Sequence, residues 1–158
     1  MITIITIISF IFQYTINSYL FNSIFIPLTI LMLLAVTEVY FDRKKKNYFI
    51  YAFVIGLFYD YLYTNTFFLN ASIFLLLSFI IRLINNNITR SIFRLLIDIL
   101  ITIILYRTIF YLLYFIIGLV DFNFFNLLES IYKSLLLNII YGYIIYYILY
   151  FCKHKKNK

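Results

Sequence analysis

Proline occurs once in this chain, at Pro27, cysteine once, at Cys152, glycine three times, and tryptophan not at all in 158 residues. With one cysteine no intramolecular disulfide can form, so disulfide chemistry indicates no compartment. Cys152 reads as an inert residue at a helix end rather than a lipidation site. So little proline and glycine leaves small room for linkers or a separate soluble domain. Charge is also scarce: 12% of residues are charged against 65% hydrophobic, far from the balance of a soluble globular chain. The mean hydropathy of +1.01 says the same. Phe and Tyr supply an aromatic content of 23%. Ile, Asn and Lys are abundant too, and A/T-rich codons of a low-G/C bacterium would produce the whole set without selection on function.

What is present is a series of apolar runs separated by polar clusters. A hydrocarbon core of about 30 Å needs roughly 20 helical residues, or about 17 at the short end. Cutting the chain at its polar clusters gives six runs, 2–20, 24–41, 48–63, 69–84, 92–117 and 127–151. The expectation is an all-α, polytopic integral membrane protein: one membrane domain over 1–158, built as a six-transmembrane-helix bundle, with a basic tail at 152–158. A β-barrel needs alternating apolar and polar positions, whereas ILMLLAV and IFLLLSFII are apolar on all sides. The first run has no Lys or Arg before it and no small-residue cleavage site after it, so it reads as a retained span rather than a signal peptide.

Orientation follows from Lys and Arg, because short loops rich in them stay in the cytoplasm. Arg43 to Lys46, then Arg82, Arg90 and Arg94, then Lys153, Lys155, Lys156 and Lys158 fall on one side of a six-span path. The connections NSYLFNS, TNTFF and GLVDFNFFN hold no basic residue. Both termini are therefore expected in the cytoplasm. The net charge of +7 is explained by this topology and by attraction to anionic membrane lipids. A nucleic-acid role is not expected, since the tail has no folded basic surface or stacking platform.

A charge near the bilayer centre costs at least about 2.5–3.5 kcal/mol, so each must face protein or water. Asp60 and Arg107 stand out, both about 18 Å from the cytoplasmic start of their runs at ~1.5 Å per residue. Two arrangements accommodate them: a buried ion pair, or Asp60 capping a shortened helix near the outer surface while Arg107 snorkels elsewhere. Gly56 lies on the helix face of Asp60, four positions before it, and lets another helix approach closely. Ser130, Ser134, Asn138 and Gly142 recur at every fourth position of the last run, and Ser9, Gln13 and Asn17 do so on the first. Both stripes suit helix contacts, within the chain, with a partner, or along a permeation path. Local pairing is expected to account for Glu129 with Lys133, and for Glu38 and Asp98, which lie close to basic residues; Arg94 and Asp98 are spaced i, i+4.

No catalytic signature is found. His154 is alone in the basic tail, no metal-ligand set surrounds it, and no Gly-rich phosphate loop, GxSxG or HExxH occurs. The expectation is therefore a non-enzyme with no catalytic residues, no metal and no cofactor.

The segment YAFVIGLFYDYLYTNTFFLNASIF, residues 51–74, resembles the helical hairpin of the MreD family, bacterial rod shape-determining membrane proteins. In that family a helix carrying Gly and then Asp is followed by a short turn and a span that opens with Leu and often Asn. Gly56, Asp60, Leu69 and Asn70 match those positions, and Pro27 and LLLNIIYGYIIYYILY fit as well. The family usually has Gly just before that Leu, where this chain has Phe68, so the turn is expected to differ locally.

The resemblance implies a non-catalytic scaffold of the cell-elongation complex in the bacterial plasma membrane. It would help direct lateral peptidoglycan synthesis through contacts with MreC, MreB, RodA and a class B penicillin-binding transpeptidase. Its cytoplasmic loops, 42–47 and 85–91, would be open to filaments or enzymes below the membrane. The structural and interaction candidates are Gly56, Asp60, Asn70, Arg107, Ser134, Asn138 and Gly142. The alternative is a substrate-binding membrane component of a vitamin or small-molecule transporter, because MreD proteins are similar in fold to the substrate-binding components of energy-coupling-factor transporters. Such a binder would enclose a pocket with converging polar groups.

Overall fold

A computed structural model describes residues 2–19, 28–41, 46–87 and 92–156, except the side chains of 17–19, 86–87, 92 and 153–156. Several expectations lie outside that set. They concern Pro27 and the start of the second run, Asp42 to Lys45, Arg90, Ser91, and the side chains of Asn17 and of the basic tail.

Among the described residues six α-helices follow one another: α1 Ile2–Tyr19, α2 Thr29–Thr37, α3 Asn47–Tyr59, α4 Leu69–Asn87, α5 Ile92–Ile116 and α6 Phe124–Lys156. A 3-10 turn, Glu38–Tyr40, extends α2, and a π-helical turn, Asp60–Thr64, extends α3. The all-α expectation holds. Helices satisfy their backbone groups within one segment, which suits runs this poor in proline and in polar side chains. The last helix is longer than the run that announced it and continues through the basic tail to Lys156, because Cys152 and the residues after it carry no helix-breaking Gly or Pro.

The architecture is organised around α2, all nine residues of which are buried. It packs against α1, α4, α5 and α6, while α3 pairs with α4 and α5 with α6. A helix surrounded on every side cannot send its first N–H groups to water. Here two side chains from other helices receive them. Asn138 Oδ1 on α6 accepts the Leu28 N–H at 2.6 Å, and Gln13 Oε1 on α1 accepts the Thr29 N–H at 2.7 Å and the Thr29 hydroxyl at 2.6 Å. The polar stripes on the first and last helices are thus turned inward: Ser9, Gln13, Ser134, Asn138 and Gly142 are all buried.

The outer wall is apolar. Phe93, Ile116, Phe125 and Tyr132 are each at least 75% exposed, and Ile4, Ile7, Ile8 and Ile11 line an open face of α1. Meanwhile Glu38, Asp60, Arg94 and Asp98 are at most 3% exposed. This inverts the usual arrangement of a protein in water. Two helical stretches, Phe93–Ile116 and Phe124–Cys152, are long and apolar enough to cross a membrane, and Ile2–Ile16, Thr29–Tyr40 and Leu69–Asn85 are shorter apolar helices.

Candidate functional site

The α3–α4 hairpin is built around one carboxylate. As α3 ends, the π-helical turn sets Asp60 opposite the start of α4. Its Oδ1 accepts the Asn70 backbone N–H at 3.0 Å, the Asn70 side-chain amide at 2.9 Å and the Thr66 hydroxyl, while Oδ2 accepts the Ala71 N–H at 3.1 Å. The anion thus occupies the positive end of the α4 dipole and satisfies N–H groups that no preceding turn can reach. Asn70 extends the network. Its amide also donates to Thr64 Oγ1 at 3.1 Å, and its Oδ1 accepts the Tyr106 hydroxyl of α5 at 3.1 Å.

Gly56 permits this closeness. A Cβ there would lie 2.5 Å from Ala71 Cα and 2.9 Å from both Ala71 N and Asn70 O, so the two helix backbones meet where only hydrogen fits. The turn itself corrects one expectation. Phe68 has φ +60°, so the left-handed conformation is kept and the bulky residue adopts it, as Asn65 does at φ +49°. Asn tolerates that region, whereas for Phe it costs roughly 1–2 kcal/mol. The ring is held against Phe53, centroids 6.2 Å apart, and against Phe67 at 4.3 Å.

Of the two arrangements open to Asp60, the carboxylate takes the cap, at the N-terminus of the helix that follows rather than on its own. No salt bridge joins it to Arg107 among the described residues. Arg107 is part-buried on α5, among Tyr59, Tyr106 and Tyr114, and its Nε and Nη2 are enclosed without an acceptor.

A second polar centre lies at the far end of α2, and sequence reasoning missed it. Glu38 Oε2 meets Arg94 Nη2 at 2.6 Å across the bundle and accepts the Asn85 amide at 3.2 Å. Asn85 also donates to Asp98 Oδ2 at 3.0 Å and accepts from Arg94 Nε. Arg82 Nε lies 3.8 Å from Glu38 Oε1, and its guanidinium sits over the rings of Tyr48 and Phe49, 5.6 and 5.1 Å from their centroids. Pairing near in sequence was expected for Glu38 and Asp98. The i, i+4 contact of Arg94 with Asp98 exists at 3.8 Å, but Glu38 belongs to a cluster joining α2, α4 and α5. The available signal was that Glu38, Arg82, Asn85, Arg94 and Asp98 all end or begin apolar runs on the same expected side. The Glu129–Lys133 pair stands at 2.6 Å on the surface of α6.

The remaining candidates serve packing. Ser134 donates to the carbonyls of Ser130 and Ile131 at 3.0 and 2.8 Å, and a Cβ on Gly142 would meet the flexible end of Ile99 at 2.5 Å. Among the described residues no group of three or more His, Cys, Asp or Glu is placed to hold a metal ion. The two centres join helices, one through the Asp60 carboxylate at the head of α4 and the other through the Glu38–Arg94 ion pair.

Comparison with known proteins bears on the whole length. Neither a curated protein nor a solved structure matches the chain. The family model described as rod shape-determining protein MreD matches residues 1–155. The chain belongs to the MreD family of rod shape-determining membrane proteins.

Proposed function

We propose that the protein is a non-catalytic scaffold of the cell-elongation complex, a bundle of six membrane spans with both termini in the cytoplasm. The observation that carries this reading is the inverted distribution of polarity. The Asp60 carboxylate, the Glu38–Arg94 pair and the amides of Asn70, Asn85 and Asn138 join helices, while the outer wall offers mainly apolar and aromatic side chains to lipid or to other helices. The Lys and Arg pattern of the connections supports the orientation. Association with the shape-determining machinery follows from the family. The named partners are MreC, MreB, RodA and a class B penicillin-binding transpeptidase, met through the flanks of the bundle and its cytoplasmic loops. The work of such a protein is to hold others in register for lateral peptidoglycan synthesis.

Depletion in the source bacterium followed by microscopy tests the function. Rounding of rods that full-length protein reverses is the expected result. Unchanged shape, together with a small molecule retained tightly by the purified protein in mass spectrometry, would instead identify a transporter component. Topology has its own test: single cysteines introduced at the five connections of a Cys152→Ser background should label alternately from the two sides of the membrane.

A further inference from the structure

Arg107 is left over. Two of its three guanidinium nitrogens are enclosed with no acceptor, and it makes no hydrogen bond or ion pair among the described residues. The chain's own described carboxylates are otherwise occupied or distant. Asp60 is saturated by Asn70, Ala71 and Thr66, Glu38 and Asp98 are engaged in the Arg94 cluster, and Glu129 is paired with Lys133. Asp121 stands exposed in the connection beyond α5, fourteen positions from Arg107 in sequence. An isolated cation at this depth demands an anion from elsewhere.

We infer that Arg107 is the docking site for a transmembrane helix of a different protein carrying an aspartate or glutamate near the bilayer midplane. The inference rests on the six-span scaffold reading and names the chemistry of one partner. Depth selects the source of the charge. Counted from Leu95 at ~1.5 Å per residue, Arg107 lies about 18 Å into a core of ~30 Å, some 12 Å short of the outer headgroups. Helical side chains lean toward the N-terminus of their helix, which in α5 is the cytoplasmic end, so the guanidinium is carried away from the outer lipid phosphates. A carboxylate riding on a helix reaches it without deforming the bilayer. A second copy of this chain does not qualify, since its Asp60 is 3% exposed and already bonded through both oxygens.

The flank suits a helix. Arg107 sits on the border between the buried positions Ile99, Ile103 and Tyr106 and the exposed positions Ile104 and Tyr114. Tyr106 bonds Asn70, so a helix seated there is one residue removed from the Asp60 network of the hairpin. Docking would therefore report on whether the hairpin is formed.

The test reconstitutes the full-length protein, fluorescently labelled, in phosphatidylcholine vesicles with a synthetic Leu/Ala transmembrane peptide carrying one central Asp, and reads binding by energy transfer. The central-Asp peptide should bind about tenfold more tightly than its Asn counterpart, and moving the Asp to the peptide end should abolish the preference. Arg107→Gln should remove the discrimination, and Arg107→Asp should transfer it to a central-Lys peptide. Equal binding of Asp and Asn peptides by the wild-type protein overturns the inference without any variant having to fold. Loss of the preference on adding phosphatidylglycerol would reassign the site to a lipid headgroup, and Arg107-dependent self-association would reassign it to a second copy; either result also overturns it. Cysteine labelling that placed position 107 in water would instead sink the six-span reading on which the inference stands.

Discussion

Two buried carboxylates, Glu38 and Asp60, are almost equally inaccessible, at 1% and 3% exposure, yet the bundle holds them by opposite means. Glu38 is met by guanidinium groups, chiefly Arg94, with Arg82 beside it. Asp60 is met by backbone N–H groups, an amide and a hydroxyl, all uncharged. The first solution ties three helices by charges of both signs. It is stringent, because removing either sign strands the other in a low dielectric. The second needs only the start of one helix. It keeps the negative charge while distributing it over donors that the fold has to satisfy in any case. A charge-pairing centre thus locks elements distant in sequence, and a dipole-capping centre locks a local hairpin.

The comparison breaks most sharply at Arg94. Arg94→Ala leaves Glu38 and Asp98 without their principal cation and should destabilise the bundle by about 3–5 kcal/mol, read as a lowered midpoint of unfolding in detergent titrations followed by circular dichroism. Asp60→Asn should cost less, roughly 1.5–3 kcal/mol, because one acceptor oxygen remains at the head of α4. Exchanging charges in an Asp60→Arg, Arg107→Asp double variant should recover none of that loss. Recovery would restore the ion pair that the geometry replaces with a cap.

Glycine positions sharpen the same contrast. Gly56→Ala drives a methyl into the backbone of α4 and should cost about 1–3 kcal/mol, while Gly142→Ala meets only the end of Ile99 and should cost under about 1 kcal/mol. Equal effects at the two sites would show that the hairpin backbones are less tightly apposed than described. The smallest effect is expected at Phe68. Phe68→Gly relieves the left-handed strain but loses the ring contact with Phe53 and frees the unfolded chain, a net gain below about 1 kcal/mol. A clear loss of stability there would mean that ring packing outweighs backbone strain.

How much of this was legible varies by residue. Gly56 and Asp60 were readable because a glycine lets helices approach closely and a charge inside an apolar run is costly in lipid, whereas Asn70 was reached only through the resemblance to the MreD hairpin. Their partners were not, since a carboxylate accepts equally from guanidinium, amide or peptide N–H, and spacing along a chain does not rank these. Asn138 and Gln13 were visible as members of stripes, but their capping of α2 was hidden because helix ends are ordinarily capped by neighbours in sequence. Phe68 was misread because a conformational preference of one or two kcal/mol was allowed to decide a turn that tertiary packing overrides.

What the sequence determined by itself is the helical character of the chain, the places where its apolar runs break, and the residues too costly to be accidental. These depend on local composition and on the price of a charge in hydrocarbon. Only the tertiary structure decided that α2 lies at the centre, that Glu38 answers Arg94 across the bundle, and that Asp60 caps α4 while Arg107 meets no carboxylate among the described residues. Those outcomes depend on which helix faces come together, and a uniformly apolar helix does not carry that information in its own periodicity.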